Sequence, residues 1–522
     1  MKEHKKLVLI EKFQKGLKNL KNNNFFESEK YFKDIIKVDP NEMDSIFYLG
    51  IISFKKKEYN ECIEYLRKVI NKNSNHRQSN LFIGLSHYKI KEYYKAKFYF
   101  EKIYKIDDKD LQAIINLSLS LIELKDYEKA SKILKQAIKL NPKNFEICNC
   151  LGDLYLKKGN TDEAIKFYSQ SIKLNSNNAI IYSNLATAYL RKSDFISAKD
   201  NFQKALKTDP NNSIVLNAYS YYLLSNIEIE KGLDAYENRK LAKKYNLKYK
   251  KDGIEWEGEN LDNKTILILT EQGIGDIIQF GRYLYSLKEK YLVKIILRVK
   301  KNLINLFDGD KFTIIDEEEQ IPNYDYFQYL LSLPKVFYKS ENKFIDNINF
   351  IKINAKLTAH WGNKLSNLKG PKIGINWQGN PEHPKDFMRS IPLSCFEKIF
   401  HNSNLNFISL QKGFGINQIS NFKYKNKLID FSNETSDSFD DTIAVMKNLD
   451  LIITIDTSIA HLAATMEMNT WLLLDFSPDW RWHVNSKIFS WYKNLKIFNQ
   501  KKIYDWDNVI NDINQQLKAL YG

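Results

Sequence analysis

The chain has 522 residues, a length for which three or more packing units are expected. Its net charge is +16 and its mean hydropathy is −0.46. No run of 18 apolar residues exists, which argues against a membrane-spanning helix, and the apolar run at residues 7–10 is short for a secretory leader. Four scattered cysteines are too few for a disulfide framework and indicate a reducing cytoplasm.

The positive charge is concentrated in the first half of the chain. Residues 1–240 carry 42 Lys and Arg against 30 Asp and Glu, whereas residues 241–522 carry 37 against 33. A basic surface favours acidic partners or a peripheral contact with an anionic membrane at its inner face. No motif specifies nucleic acid. A general drift toward Lys, with a solvated surface and no specific ligand, is the alternative interpretation, because only 8 of the 79 basic residues are Arg.

A 34-residue period runs through residues 9–212. Small residues recur at positions 8 and 20 of each unit, bulky residues recur at position 24, and three units carry Pro at position 32. The small residues let the two helices of a unit approach closely, the bulky residue fills the gap to the next unit, and Pro ends the second helix. The six units begin at Leu9, Met43, Arg77, Leu111, Phe145 and Ala179.

This pattern resembles the tetratricopeptide repeat. The resemblance implies an α-solenoid over residues 1–240, because no single unit buries its apolar face without a neighbour. Residues 227–245 are predicted to form a capping and connecting helix. The extended groove of such a solenoid is expected to bind a protein or peptide or to position an acceptor molecule, and a plain scaffold is the alternative interpretation.

The periodicity changes after a polar linker at residues 241–263. Short apolar runs at residues 264–270 and 293–299 predict buried parallel strands, with a helix at residues 277–291 between them. A second series begins further on, with strands at residues 372–377, 407–411, 428–431, 449–455 and 470–475 and helices at residues 393–401, 439–447 and 458–467. Residues 313–345 show no clear pattern.

We therefore predict an α + α/β multidomain protein in which the repeats precede two Rossmann-like lobes. The first lobe covers residues 264–360 and the second covers residues 361–522. Two such lobes with a cleft between them would form a GT-B-type architecture.

The loop after the first predicted strand carries Gly273, Gly275 and Asp276 at the start of a helix. Glycines allow the backbone to approach a ligand, and free N–H groups favour an anion. Ile278 stands where a dinucleotide fingerprint requires its third glycine, so NAD is not favoured. Asp276 has two interpretations, since an Asp here either takes the proton of an acceptor hydroxyl or caps the helix.

A second loop delivers Asp456, Thr457 and Ser458 from an apolar strand to the first turn of a helix, which also carries His461. Hydroxyl groups and free N–H groups at a helix start suit a diphosphate. His461 can reach the same place. The alternative is that Thr457 or Ser458 simply caps the helix.

Cations and aromatic rings occupy two further loops. Lys385 and Arg389 follow the strand at residues 372–377, where they could stabilise the charge that grows on a diphosphate leaving group. Such a mechanism needs no metal, and the histidines show no metal-ligand spacing, so no metal and no cofactor are expected. Contacts with a base or a sugar, or packing in the core, are the two interpretations of Trp377, Asp479, Trp480 and Arg481.

Together these segments are similar to the heptosyltransferases of glycosyltransferase family 9. The resemblance implies an inverting, metal-independent enzyme that uses a nucleotide-diphosphate sugar as substrate. It also implies that Asp276 is the general base and that Asp456, Thr457 and His461 lie at the donor diphosphate. Ordinary members lack the repeats, so the donor sugar and the acceptor are not carried over. A protein-binding scaffold with a relic transferase domain is the alternative hypothesis.

Overall fold

The computed structural model describes residues 2–242, 253–436, 438–482 and 491–522. The chain divides into two compact units, Met1–Leu185 and Ala186–Gly522. In the described part of the chain, no helix is both long enough and apolar enough to cross a membrane.

Antiparallel helix pairs with a constant 34-residue spacing fill the first part of the chain. The first helices of the pairs are α1 (Lys2–Lys21), α3 (Met43–Lys56), α5 (Arg77–Lys89), α7 (Leu111–Glu123), α9 (Phe145–Lys157) and α11 (Ala179–Arg191). The second helices are α2 (Phe25–Val38), α4 (Tyr59–Lys72), α6 (Tyr93–Ile106), α8 (Tyr127–Leu140), α10 (Thr161–Leu174) and α12 (Phe195–Thr208). Five predicted starts are confirmed, whereas α1 begins before Leu9 because residues 2–8 contain no helix breaker.

Each pair is closed by a bulky residue lying on a small one. Gly84 is the small residue at position 8 of its unit, and a Cβ added to it would lie 2.6 Å from a ring carbon of Phe100 at position 24. Phe100 is fully buried. Position 24 therefore closes its own unit as well as the space toward the next, where Phe32 stacks on Tyr48 at 5.4 Å.

The turn between the two helices of each pair passes through one left-handed residue. Such residues have φ between 56° and 82° and recur every 34 positions: Asn23, Lys57, Lys91, Lys125, Gly159, Ser193 and Ile227. A side chain in this conformation costs about 1–2 kcal/mol, a cost that Gly159 avoids. Ile227 marks a further turn beyond the six predicted units.

A seventh, shortened unit follows in the same register. It consists of α13 (Ser213–Ser225) and α14 (Ile229–Tyr236), and the short helix α15 (Arg239–Ala242) comes next. The single helix predicted over residues 227–245 is therefore wrong within the described residues, and residues 243–245 lie outside them. Asn238 explains the break, since its side chain donates to the Ala235 carbonyl (3.0 Å) and competes with helix continuation.

The first α/β lobe contains a five-stranded, all-parallel sheet of order β1-β5-β2-β3-β4. Its strands are β1 (Ile254–Glu255), β2 (Thr265–Leu269), β3 (Lys294–Val299), β4 (Thr313–Asp316) and β5 (Tyr326–Tyr329). β2 and β3 confirm two predicted strands. The helix predicted at residues 277–291 is instead two helices, α16 (Ile274–Phe280) and α17 (Arg282–Lys290), which meet at Gly281, and α18 (Leu333–Glu341) follows β5.

The second lobe contains a six-stranded, all-parallel sheet of order β11-β10-β9-β6-β7-β8. Its strands are β6 (Lys372–Asn376), β7 (Asn406–Ser409), β8 (Leu428–Ile429), β9 (Leu451–Ile455), β10 (Thr470–Leu474) and β11 (Leu495–Asn499). The helices are α19 (Ala355–Leu365), α20 (Asp386–Arg389), α21 (Asp440–Met446), α22 (Ser458–Thr465) and α23 (Trp506–Tyr521). The helix predicted at residues 393–401 has the tighter 3-10 form, in a segment that begins with the weak helix formers Ser394 and Cys395.

Both lobes belong to the α/β class, and their sheets share one topological feature. The chain adds strands on one side of β2 and then returns to its other side with β5, and it does the same around β6 with β9. Such a switch point leaves a crevice outside the carboxyl ends of the two strands, which is where open α/β sheets bind ligands. The GT-B arrangement of the lobes stays a prediction.

Candidate functional site

The switch point of the second sheet is lined by polar side chains. Asn376 ends β6, and its Oδ1 accepts hydrogen bonds from the hydroxyl of Thr454 in β9 (3.2 Å) and from that of Thr457, two residues beyond β9 (2.8 Å). The Thr457 side chain makes no cap bond to α22. Ser458 is the first residue of α22 rather than its cap. The start of α22 thus follows β9 without a side-chain cap from Thr457, and free N–H groups at a helix start favour an anion.

Two cationic side chains contact the loops that follow β9 and β10. Arg389 Nη1 donates to the Asp456 carbonyl (2.8 Å), and Arg389 Nε donates to Asp386 Oδ1 (3.2 Å). Lys385 Nζ donates to the Ser477 carbonyl (3.3 Å), in the loop after β10. Of the two predicted basic residues, Arg389 therefore lies next to the loop that carries Asp456, and Lys385 lies next to the loop after β10.

Two carboxyl groups, those of Asp456 and Asp475, lie near Arg389 and Lys385. Burial raises the pKa of Asp456 to about 6, although the Arg389 guanidinium works against that rise. Burial likewise raises the pKa of Asp475, with Lys385 opposing. Throughout the described residues, no group of three or more His, Cys, Asp or Glu could hold a metal ion.

Asp276 makes two contacts, one with each carboxylate oxygen. Its Oδ2 accepts a hydrogen bond from the Gly273 N–H (3.0 Å), so it does cap the start of α16. Its Oδ1 lies 2.7 Å from Arg481 Nη2. Arg481 Nη1 in turn lies 2.8 Å from Asp479 Oδ1, which places one guanidinium between two carboxylates.

The pKa values of Asp479 and Arg481 favour their charged forms. Burial alone would raise the pKa of Asp479, but Arg481 and Lys385 outweigh it and the pKa is lowered. Burial would lower the pKa of Arg481, but Asp276 and Asp479 outweigh it and the pKa is raised. The cation and the Asp479 carboxylate therefore both persist at neutral pH.

His461 joins the two lobes without carrying a charge. It is buried, and burial together with the Arg481 guanidinium lowers its pKa to about 3. Its Nδ1 is 3.0 Å from the Tyr492 hydroxyl, and its ring stacks on Trp482 at 4.7 Å. A Cβ on Gly275 would lie 2.7 Å from His461 Cδ2, so the first turn of α16 touches the first turn of α22.

The aromatic candidates are core residues. Trp377 is fully buried, and its Nε1 donates to the Gly415 carbonyl (3.2 Å). Trp480 is 3% exposed and packs edge-on against Tyr236 at 6.4 Å. Their geometry fits the core-packing interpretation.

The sequence did not point to Tyr236, which belongs to the seventh helix pair. Its hydroxyl accepts a hydrogen bond from Gln272 Nε2 (2.9 Å) and lies 3.5 Å from Arg481 Nη2. The sequence feature that could have indicated this helix is the continued 34-residue spacing, since α14 starts at Ile229, 34 positions after the start of α12 at Phe195. That signal predicts a helix, but not which residues it contacts.

Comparison with protein families supports the repeats directly. Models described as "TPR repeat" match residues 119–159 and 152–193, and models described as "Tetratricopeptide repeat" match residues 44–76, 78–110 and 179–212. The first part of the chain therefore contains tetratricopeptide repeats.

Among curated proteins, the chain is similar to Protein FlbA of Caulobacter vibrioides, with 24% identity over 324 residues. The match covers 57% of this chain and 53% of FlbA, so the chain spans about half the length of that relative.

Solved structures match with low similarity. A tetratricopeptide repeat protein from Parabacteroides merdae is 15% identical, covers 46% of this chain and 94% of its own, and has a TM-score of 0.42. YrrB, described as a TPR protein with an unusual peptide-binding site, is 19% identical, covers 36% of this chain and 97% of its own, and has a TM-score of 0.28.

Proposed function

We propose that the α/β part of this chain transfers a sugar from a nucleotide-diphosphate donor to an acceptor hydroxyl, without a metal. The observation that carries this proposal is the contact of Gly275 with His461, which brings the first turn of α16, with Asp276, beside the start of α22 in the other lobe. A potential base and a potential diphosphate site are thereby neighbours, as transfer between two bound substrates requires.

The charged residues suggest how the donor would be held. The diphosphate would lie at the start of α22, where backbone N–H groups and the Arg389 guanidinium favour an anion. Lys385 would approach from the loop after β6 and stabilise the leaving nucleoside diphosphate. The neutral imidazole of His461 would act by packing between the two loops rather than by charge.

Asp276 would accept the proton of the acceptor hydroxyl. The acceptor oxygen would then bond to the anomeric carbon while the bond from that carbon to the phosphate oxygen breaks, with inversion. Since Arg481 already pairs with Asp276 at 2.7 Å, the carboxylate must exchange this partner for the acceptor.

The repeats indicate a protein-binding role, and we propose that they recruit or orient a protein or peptide. In the fifth and sixth pairs, Asn184 Nδ2 lies 3.3 Å from both Asn149 Oδ1 and Asp153 Oδ1, and the Tyr168 hydroxyl donates to Asp153 (2.6 Å). Side-chain amides and a carboxylate grouped on first helices suit the backbone of an extended peptide. If the α/β domain is inactive, this scaffold role is the second candidate function.

The test is a thermal-shift titration with ADP, GDP, UDP, CMP and dTDP. One nucleotide at a hundredfold excess over its Kd should add about 2.7 kcal/mol to the free energy of unfolding. Arg389→Gln should abolish that shift, because it removes a charge beside the diphosphate site. Lys447→Gln, an exposed change at the end of α21, is the matched control and should keep it.

Transfer is then assayed with the sugar forms of the nucleotide that binds. Asp276→Asn should keep nucleotide binding and lose transfer by about 100-fold or more, whereas the exposed change Asp310→Asn should leave both unchanged. No stabilisation by any nucleotide would reject the transferase and favour the scaffold.

A further inference from the structure

We infer that Tyr236, a residue of the seventh repeat unit, is a positioning residue of the candidate transferase site. The inference rests on the proposed function. It means that the repeats do more than precede the α/β domain, because their last unit supplies one wall of the site.

The hydroxyl of Tyr236 stands between the glycine loop and Arg481. It accepts a hydrogen bond from Gln272 Nε2 at 2.9 Å and lies 3.5 Å from Arg481 Nη2. Gln272 adopts a left-handed backbone with φ of 64°, which is costly for a residue with a side chain. The bond to Tyr236 therefore helps to hold the loop conformation that presents Gly273 and Asp276.

The residue before Gln272 is held from the same direction. Arg239 of α15 is fully buried, and its Nε and Nη2 donate to Glu271 Oε1 at 3.0 and 2.5 Å. Arg239 Nη2 also donates to the Ser332 hydroxyl (2.7 Å), which follows β5. Arg239 thus occupies the switch point of the first sheet, and two consecutive loop residues are fixed by the helices at residues 229–242.

Arg481 has capacity for an anion. Its two Nη groups face Asp276 and Asp479, while its Nε is buried and has no hydrogen-bond partner among the described residues. The side chain as a whole is 8% exposed. A buried cationic donor without an acceptor is costly, and a phosphate oxygen would satisfy it. Tyr236 helps to place this guanidinium, since its hydroxyl lies 3.5 Å from Arg481 Nη2.

Core packing is the competing explanation, because the Tyr236 ring also contacts Trp480 and Tyr221. Tyr236→Phe separates the two explanations, since it keeps the ring and removes only the hydroxyl. Tyr222→Phe is the matched control. Tyr222 is equally buried, at 2%, but lies on α13 against Phe195 and Phe202.

Calorimetric titration of the full chain compares a nucleoside diphosphate with the corresponding nucleoside. Tyr236→Phe should weaken the diphosphate about two- to tenfold, the equivalent of one hydrogen bond, and leave nucleoside affinity unchanged. In transfer assays the same variant should lower kcat more than it changes KM for the acceptor. Tyr222→Phe should change none of these values.

Equal loss of nucleoside and diphosphate affinity would overturn the inference in favour of a packing role. Identical behaviour of Tyr236→Phe and Tyr222→Phe would overturn it as well, while leaving the transferase standing if the unaltered chain binds a diphosphate. If the unaltered chain binds no nucleotide, the proposed function and this inference fall together.

Discussion

Burial raises the pKa of the Asp456 carboxyl group, which directly follows β9. Its ionised form is opposed by burial, Asp479 and Asp475, whereas Arg389 and Trp482 favour it. The folded-state pKa of about 6 lies above the ordinary value of 3.8. The folded state therefore binds this proton more tightly than the unfolded state, so the contribution to stability is complete below about pH 4 and is lost as the pH rises through 6.

Asp456→Asn should consequently stabilise the folded protein at alkaline pH. The shift from 3.8 to about 6 corresponds to about 2–3 kcal/mol at pH 8, and the gain should vanish near pH 4. Urea unfolding of both proteins from pH 4 to pH 8 measures it. The free energy of unfolding of the exposed variant Asp310→Asn should change with pH as it does in the unaltered protein. The same pH dependence in Asp456→Asn would show that the pKa of the Asp456 carboxyl group is not raised by folding.

The helix pair is the structural element on which the repeats depend, and Gly84 shows why position 8 must be small. A Cβ at Gly84 would meet the fully buried ring of Phe100 at 2.6 Å, closer than two atoms can approach without movement. Ala is the better helix former by about 1 kcal/mol, so the clash and the propensity act in opposite directions.

We expect the clash to win, so that Gly84→Ala lowers the free energy of unfolding by about 1–3 kcal/mol. Circular dichroism during urea unfolding measures the change. Gly84→Ala/Phe100→Leu, which opens the space again, should recover part of the loss. Gly309→Ala has nothing within 4 Å of the added Cβ and should be nearly neutral. A higher free energy of unfolding for Gly84→Ala would contradict this prediction, because it would mean that the Phe100 ring moves aside at little cost.

The same elements show how far a sequence can be interpreted. Helix starts such as Met43 and Phe145 are predictable because a fixed period repeats the same caps, turns and small residues. β4 and β5 are four residues long, too short to display an alternation, and they remained unpredicted. Asp276 and Asp456 come shortly after β2 and β9, where the topology of a parallel sheet gathers functional residues. The contact of Tyr236 with Gln272 joins distant segments and leaves no periodic pattern in the sequence.

At the scale of the whole molecule, the unit Ala186–Gly522 mixes repeat helices with the first sheet in one core. Leu224, Leu233 and Tyr236 are buried in the same cluster as Ile266 and Ile268 of β2. A buried ion pair crosses this core, since Arg239 and Glu271 are 0% and 1% exposed in their side chains. Breaking such a pair leaves an unpaired charge in the interior.

Arg239→Met should therefore lower the free energy of unfolding by about 3–5 kcal/mol. Tryptophan fluorescence is a selective probe, because all eight tryptophans lie between Trp256 and Trp506. Adding Glu271→Met removes the stranded carboxylate and should restore part of the loss. An unchanged fluorescence transition in Arg239→Met would show that the seventh unit is not needed by the α/β domain.

The regular 34-residue spacing has a consequence for how this chain can change over generations. Duplication or loss of one unit, for example residues 77–110, would leave every remaining helix start, cap and left-handed turn with the same kind of neighbour. The seventh unit would stay attached to the α/β domain through Tyr236 and Arg239. The length of the array is thus free to vary while the contacts between the seventh unit and the α/β domain are inherited unchanged.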